Sequence, residues 1–293
     1  MKFTGRRQST NVEDRRGSTS SGKKTAGMGV GGLVVAALIT WLMGGNPLSV
    51  LSNADLSSIV LGNADGTTQS YTPTAQEEEM AVFISQVFAS TEDIWADQFQ
   101  KIGKKYVNPK LVIFKGSVQS GCGGATASVG PFYCSADQCV YLDLSFLTDM
   151  KKQLGVEGGD FAYAYVIAHE VGHHVQNLLG TLGSAHQYMA KVDETESNRT
   201  SVRIELQADF LAGAWACNEN KAYGSLEDGD IEKGIETALA IGDDYLQKQA
   251  RGYSVPETFT HGKSEQRVKW LKKGLQSGRI QDGDTFSCDY SQL

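Results

Sequence analysis

Two histidines and a glutamate near the middle of the chain are spaced for metal chemistry. His169, Glu170 and His173 form an H-E-x-x-H pentapeptide within residues 160–180. On a helix of about 3.6 residues per turn, the two histidines stand one turn apart on one side and can converge on one metal ion. Glu170, about a quarter-turn round, can then reach a water on that metal. The spacing therefore predicts a zinc site with an acid–base group beside it.

The residues around the pentapeptide indicate a helix that is buried along one face. Asp160 fits an N-cap and Gly180 a C-terminal stop, which gives a helix of about 19 residues. The histidines lie nearly opposite an apolar stripe at helical spacing. The stripe consists of Ala164, Ile167, Val171, Val175 and Leu178. We therefore expect the stripe to pack on a core and the histidines to face another element.

A second predicted helix, at residues 196–218, carries two carboxylates on a face of small and apolar residues. These are Glu205 and Asp209. Carboxylates on such a face are costly unless they are paired or bind a metal, and the small residues let another helix approach. We expect this face to pack on the histidine face, with Glu205 as the third zinc ligand. Asp209 then hydrogen-bonds the far ring nitrogen of a ligating histidine, most simply His169.

Two histidines and a glutamate leave the fourth position of zinc open to water, which is typical of catalytic zinc. Glu170 is then expected to take a proton from that water as it attacks a peptide carbonyl, and to pass it to the leaving amine. His261 and Arg267 are candidates for cations near the developing oxyanion. We interpret His174, at the edge of the apolar stripe, as a core residue and His186, in a polar connector, as a solvated one.

Charge is distributed unevenly along the chain. The first 26 residues hold seven Lys and Arg against Glu13 and Asp14, a net charge of +5. Since the whole chain has a formal charge of −7, the remainder carries −12. An acidic body without a basic stripe argues against nucleic acid as a partner.

An apolar stretch follows the basic segment. Residues 28–45 are uncharged, and about 18 residues is near the lower limit for one bilayer span. Basic residues on one side only predict that a tail at 1–27 is cytoplasmic and that the body lies outside. A cleaved signal peptide is the alternative, and it also implies export. Residues 46–73 then form a flexible linker, and residues 74–293 a domain on the extracytoplasmic side of the membrane.

The remaining pattern predicts a mostly helical α+β domain with a small sheet before the metal-site helix. A capping box begins a long helix at residues 74–102, with a break near Ser90. Short strands, more helices and turn glycines follow. The strands are expected at 111–114, 125–129 and 140–144, and the later helices at 230–250 and from about 261. An edge strand of this sheet either holds an extended peptide by main-chain hydrogen bonds or merely backs the helix.

The five cysteines are too few for a disulfide scaffold but allow two bridges in an exported domain. Cys122 with Cys134 would close a glycine-rich loop, and Cys217 with Cys288 would tie the C-terminal tail to a helix. Cys139 competes for the first pair, so the connectivity stays open. Deformylase-like amide hydrolysis, with Cys134 or Cys139 as the third ligand, is a competing metal chemistry. It is disfavoured because disulfides are the better use of these cysteines outside the cell.

Several motifs together resemble a bacterial family of membrane-anchored neutral zinc metallopeptidases. The matching segments run almost end to end and include residues 5–16, 130–134, 140–146, 166–176, 201–209, 240–244 and 259–262. The resemblance implies a zincin-like, gluzincin-type peptidase with zinc on His169, His173 and Glu205 and with Glu170 catalytic. Family members often have Cys where this chain has Phe210. Cys217 lies two turns further on nearly the same helix face, which keeps a bridge to Cys288 as an expectation.

These observations predict a zinc-dependent endopeptidase that acts on proteins or peptides outside the cytoplasmic membrane. The alternative from a different class is a membrane-tethered zinc-binding scaffold or adaptor whose peptidase activity is vestigial. The intact H-E-x-x-H argues against a scaffold, because a scaffold has no need of Glu170.

Overall fold

The computed structural model describes residues 1–17 and 71–293, which form a mostly helical α+β fold with a small sheet, as predicted. The strands are β1 (Val12–Asp14), β2 (Lys110–Phe114), β3 (Ser117–Ser120), β4 (Gly123–Thr126), β5 (Phe132–Cys134) and β6 (Cys139–Asp143). The helices are α1 (Ala75–Lys101), α2 (Leu144–Thr148), α3 (Met150–Leu154), α4 (Asp160–Leu179), α5 (Thr181–Met189), α6 (Glu194–Tyr223), α7 (Asp230–Ala240), α8 (Asp243–Arg251) and α9 (Ser264–Ser277).

The main sheet has the strand order β1-β2-β6-β5, so β5 is an edge strand. β1 and β6 run parallel to β2, and β5 runs antiparallel to β6. Successive side chains of a strand point to opposite faces. One face of β2 and β6 therefore joins the main helical core through Leu111, Ile113, Val140 and Leu142. The other face packs under the β3–β4 hairpin through Val112, Phe114 and Tyr141.

Two of the long helices differ from the expectation in where they are continuous. α1 continues through residues 90 and 91, because both hydroxyls are hydrogen-bonded inside the fold. Ser90 donates to Glu219, and Thr91 donates to the carbonyl of Phe88 at 2.7 Å. The predicted helix at 230–250 is instead divided into α7 and α8. The helix breaks at Gly242, where an added Cβ would collide with Ser264.

Residues 1–17 pack on the rest of the described chain. β1 extends the sheet by pairing with β2. The Phe3 side chain is buried, with 2% of its surface exposed. Arg6 donates to the carboxylate of Glu219, which lies on α6, at 2.7 Å. This segment therefore contributes both main-chain and side-chain contacts to the domain.

The sequence placed residues 1–27 in a tail separate from the domain at 74–293, and the structure corrects this for residues 1–17. Four of the five basic residues there, Lys2, Arg6, Arg7 and Arg16, pair with acids of the domain, and net charge alone does not identify these partners. The predicted anchor at 28–45 and most of the linker at 46–73 lie outside the described residues. Within the described ranges, no helix has the length and apolar character needed to cross a bilayer.

The cysteines form one of the two predicted bridges. Cys122 and Cys134 are joined by a disulfide, which confirms the first pairing. Cys217 and Cys288 are both free, so the predicted second bridge was wrong. Cys288 follows Thr285, whose hydroxyl donates to the carbonyl of Arg203. Along α6, position 203 is about 21 Å from position 217, and the three residues from Thr285 to Cys288 span at most about 11 Å, which leaves the two cysteines further apart than a disulfide reaches.

Candidate metal centre

The H-E-x-x-H pentapeptide lies in the middle of α4. Two glycines with positive φ flank the helix, Gly159 at 124° and Gly180 at 84°, and Gly180 provides a left-handed C-cap. The apolar stripe faces the main core, where its buried members are Ala164, Ile167, Val171 and Val175. The opposite face, which carries the histidines, meets α6. The helix therefore packs against the core on one face and against α6 on the other, and these contacts fix the backbone at both histidines.

α6 comes close to the histidine face because small residues line the contact. Gly172 of α4 lies against Ala208 of α6, and an added Cβ would be 3.1 Å from the Ala208 carbonyl oxygen. α9 approaches the far side of α6 in the same way, with Gly213 facing Leu271 and Gly274 facing Phe210. The main chains of α4 and α6 can therefore approach closely enough for side chains of both helices to share one ion.

His169, His173 and Glu205 form a group whose ligand atoms all lie within 4.8 Å of one another. The His169 Nε2 is 3.1 Å from one carboxylate oxygen of Glu205, and the His173 Nε2 is 3.5 Å from the other. Tetrahedral zinc with ligands at about 2.0–2.2 Å places those ligands roughly 3.3–3.5 Å apart. The three donors therefore fit one zinc ion in both chemistry and spacing.

Hydrogen bonds leave the Nε2 atom of each histidine available to a metal. The His169 Nδ1 lies 2.9 Å from an Asp209 oxygen, and the His173 Nδ1 lies 2.9 Å from the Gln176 side-chain oxygen. Both partner oxygens accept, so each Nδ1 carries a proton, and each Nε2 is the atom that can give its lone pair to a metal when a metal displaces its proton. Such partners fix the orientation and tautomer of metal-ligating histidines.

Asp209 is fully buried, and it lies where the sequence predicted, against His169. It also accepts hydrogen bonds from Tyr165 at 2.6 Å and from Arg267 at 2.9 Å. Burial raises the pKa of Asp209, but Arg267 and His169 outweigh it and lower that pKa below its ordinary value. The carboxylate therefore stays ionised and holds His169 in place. Arg267, a candidate for the oxyanion, is instead committed to Asp209.

The electrostatics of the centre favour a cation. Burial lowers the pKa of His169, yet Asp209 and Glu205 raise it more, to about 10. Burial likewise raises the pKa of Glu205, but His173 and His169 bring it well below its ordinary value. The negative potential that attracts a proton to His169 also attracts a divalent ion, because carboxylates and neutral imidazoles are ligands that zinc accepts.

Glu170 follows His169 directly on α4 and is buried, with 8% of its surface exposed. The fold therefore places a carboxylate next to the metal-binding face. His174, the other neighbour of the motif, is fully buried. It lies 2.9 Å from the Tyr133 hydroxyl and 2.7 Å from the Val107 carbonyl, in the core position that the sequence indicated.

His261 lies close to the centre on the loop before α9. Gly262 packs against Val202 and Leu206 of α6, on either side of Glu205 in sequence. The charges of His261 and Glu205 also influence each other's pKa. The side chain of His261 is 34% exposed, so it can meet a bound molecule.

Asp243 holds the His261 loop. One oxygen of its buried carboxylate accepts main-chain N–H groups from residues 260, 261 and 262 at 2.6–2.9 Å. The other lies 3.1 Å from the His261 Nδ1. Burial lowers the pKa of His261, whereas Asp243 and Glu205 raise it, and the net change is upward. Asp243 thus orients the imidazole and favours its cationic form.

The sequence did not assign a role at the centre to Gln176, Tyr165 or Asp243. Gln176 stands one turn after His173 and is fully buried, so a polar residue at that spacing was an available signal. Asp243 is distant in sequence, and only the tertiary fold brings it to His261. His186 lies on α5 rather than in a polar connector, and its side chain is exposed.

The described residues do not support the deformylase-like alternative. Cys134 is bonded to Cys122, and Cys139 is a buried thiol on β6. Within residues 1–17 and 71–293, the clustered metal-binding side chains are two histidines and a glutamate. A cysteine is therefore not available as the third ligand.

The domain is mostly helical, and its H-E-x-x-H helix packs against a later helix that carries a glutamate. This combination defines the class of proteins with a candidate two-histidine, one-glutamate metal site. Comparison with known families is more specific. The chain belongs to the family described as "Putative neutral zinc metallopeptidase", whose model matches residues 1–286. The match includes both the N-terminal segment and the metal centre.

Relatives of the chain cover most of its length. It is 46% identical over 295 residues to "Uncharacterized protein YpfJ" of Escherichia coli, across 98% of this chain and 99% of the relative. It is 44% identical over 191 residues to "Uncharacterized protein Rv2575" of Mycobacterium tuberculosis, across 62% of this chain and 64% of the relative. No solved structure matches the chain.

Proposed function

We propose that the protein is a zinc-dependent endopeptidase of the zincin-like, gluzincin type. The observation that carries this proposal is the meeting of His169, His173 and Glu205, with Glu170 on the same helix as the histidines. Three protein ligands are the usual number at catalytic zinc, whereas structural zinc is held by four. Membership of the zinc metallopeptidase family supports the same reaction class.

Each residue has a distinct task in this reaction. Zinc, when bound, lowers the pKa of a water and polarises a carbonyl. Glu170 takes the proton from that water during attack on the peptide carbonyl and delivers it to the departing amine nitrogen. Asp209 and Gln176 keep the two imidazoles in the tautomer that leaves Nε2 free. Asp209 is itself held by hydrogen bonds from Tyr165 and Arg267.

His261 supplies positive charge to the carbonyl oxygen as it becomes an oxyanion. Its position near Glu205, its partial exposure and its raised pKa support this role. Asp243 positions the ring through the loop and through Nδ1, so that Nε2 carries the donated proton. Arg267 does not share this task, because its guanidinium is bonded to Asp209.

The pH dependence of cleavage tests the His261 assignment. The pKa of His261 is raised above 6.5, so the imidazolium persists beyond the pH at which an ordinary histidine is neutral. Activity that needs this cation falls as pH rises through the raised pKa. Asp243→Asn keeps an acceptor oxygen for the loop but removes the charge, so the alkaline limb of kcat/KM should shift to lower pH.

The matched control for this profile is Glu265→Gln, which removes an exposed carboxylate close to the same loop. In Glu265→Gln, the alkaline limb of the kcat/KM profile should occur at the same pH as in the wild type. An Asp243→Asn variant whose limb coincides with that of the wild type contradicts the role given to His261.

The edge strand β5 is the candidate for holding the substrate backbone. It pairs with β6 on one side and ends the main sheet on the other. Tyr133 of β5 contacts His174 and Asn177 of α4, which joins the strand to the metal-site helix. An extended peptide added to this edge is bound by main-chain hydrogen bonds along its length. Such binding suits cleavage within a chain and supports an endopeptidase.

Metal removal tests the proposed reaction itself. Purified protein should contain one zinc per chain and cleave an unfolded protein substrate, with internal cuts identified by mass spectrometry. A chelator should abolish cleavage, and one equivalent of zinc should restore it, because the metal ligands are already in place. Cleavage that survives complete removal of zinc contradicts the proposal.

We also place the domain outside the cytoplasm. The Cys122–Cys134 bridge supports this location, because disulfides persist mainly in oxidising compartments. Reaction of a surface cysteine with a membrane-impermeant maleimide on intact spheroplasts measures the location. A domain that reacts only after lysis contradicts it.

A further inference from the structure

The described residues on either side of positions 18–70 lie next to each other. A Cβ added at Gly17 would lie 4.0 Å from the ring of Tyr71. Arg16 just before it is buried and donates to Glu78 of α1 at 2.8 Å. Residues 17 and 71 are therefore neighbours in the domain.

The contacts of residues 1–17 are those of a domain core rather than of a loosely bound tail. β1 is a hydrogen-bonded strand of the main sheet, with Val12 aligned to Leu111. Phe3 packs edge-on against Phe83 of α1, with ring centroids 5.7 Å apart. Ser9 donates its main-chain N–H to the Ser85 carbonyl of the same helix at 3.1 Å.

Two buried acids of the domain depend on this segment for neutralisation. Glu92 of α1 is 4% exposed and accepts from Ser9 at 2.6 Å, Asn11 at 2.7 Å and Arg7 at 2.9 Å. Glu219 of α6 is fully buried, and Arg6 is its cationic partner at 2.7 Å. A buried carboxylate that loses its partners is strongly destabilising. The domain is thus built to contain residues 1–17.

We infer that residues 1–17 are a permanent part of the metal-centre domain and that both lie on the same side of any membrane that the chain touches. A single crossing within 18–70 would place residues 1–17 and α1 on opposite faces of the bilayer, which breaks β1 from the sheet and Arg6 from Glu219. The inference replaces the predicted arrangement in which residues 1–17 and the domain lie on opposite sides of the membrane. It stands independently of the proposed peptidase activity.

A pair of variants in the full-length chain tests the docking. Arg6→Ala leaves Glu219 buried without its cation, and the thermal midpoint should fall by roughly 6 °C or more. Adding Glu219→Gln to Arg6→Ala should restore most of the loss, because an amide needs no counter-charge. Arg15→Ala is the matched control, since its partner Glu13 lies in the same segment and both are partly exposed. An Arg6→Ala midpoint equal to that of Arg15→Ala overturns the inference.

Cysteine labelling tests the sidedness directly. Thr4→Cys and Gln187→Cys place single exposed thiols on the N-terminal segment and on α5, in a Cys288→Ser background. Each variant is treated with a membrane-impermeant maleimide in spheroplasts and after lysis. The two positions should label under the same condition. Labelling of one position in spheroplasts and of the other only after lysis overturns the inference, whatever the stability data show.

Discussion

Glu170→Gln is expected to reduce peptide cleavage by about 10²–10⁴-fold in kcat while one zinc stays bound per chain. Glutamine has nearly the same shape as glutamate, but its amide cannot take a proton from water at neutral pH. General acid–base groups contribute rate factors of this size. The ligands His169, His173 and Glu205 are unchanged, so zinc content measured on the purified variant should match that of the wild type.

The control for this variant is Glu196→Gln, which changes a half-exposed glutamate on α6 away from the ligands. It should leave kcat within a factor of two. A Glu170→Gln enzyme with near wild-type kcat removes Glu170 from the mechanism. If that variant is inactive in vitro but supports the full biological role in cells, the protein acts as a zinc-binding scaffold instead.

The same variant identifies substrates. Cells with wild-type protein and cells with Glu170→Gln contain the same zinc-bound fold and differ only in turnover. New N-terminal peptides that appear in the wild-type envelope but not in the variant mark cleavage sites. Because the edge strand β5 is expected to bind an extended backbone, these sites should lie within chains, in flexible segments.

The two helices of the metal centre could be predicted because their signals are local and periodic. α4 carries an apolar stripe and two histidines one turn apart, and a glycine ends it at Gly180. α6 places Glu205 and Asp209 on a face of small residues. Small residues beside two carboxylates on one helix face indicate that another helix packs closely there. Gly172 against Ala208 is the contact that this reasoning requires. Helical period and residue size together were sufficient to predict the pairing.

The N-terminal segment could not be predicted in the same way. β1 has only three residues, and its partner strand begins almost a hundred residues later. Basic residues before an apolar stretch follow the usual membrane pattern, so net charge suggested a tail. Arg6 and Arg7 in fact pair with Glu219 and Glu92, which are buried acids on α6 and α1. The charge of a segment predicts the sign of the charge on its partner residues but not where those residues lie in the chain.

The sequence also did not predict the residues that orient the site through contacts formed only in the folded protein. Asp243 precedes His261 by a helix and a loop, and its main-chain contacts at residues 260–262 exist only once α8 and α9 have packed. Arg267 was correctly read as a cation near the site but given the wrong partner. The reason is that Asp209 is fully buried and its charge requires a counter-ion. Residue spacing alone does not show that Asp209 is buried.

Glu205→Ala is expected to remove zinc from the protein at concentrations where the wild type is fully loaded. The change leaves only two protein ligands, His169 and His173, and deletes the carboxylate whose oxygens lie 3.1 and 3.5 Å from their Nε2 atoms. Competition against a chelator of known affinity gives the zinc Kd. Loss of activity should follow loss of zinc, and excess zinc should not restore it.

Asp209→Asn provides a graded comparison on the same helix. It keeps all three ligands but removes the charge that orients His169 and pairs with Arg267, so zinc affinity should fall by about 10–100-fold. Glu205→Ala should exceed that loss, and Glu196→Ala should show none. If Glu205→Ala binds zinc as tightly as Asp209→Asn, then Glu205 acts beside the metal rather than on it. The ordering of the three variants therefore separates a ligand from a positioning group and from a surface charge.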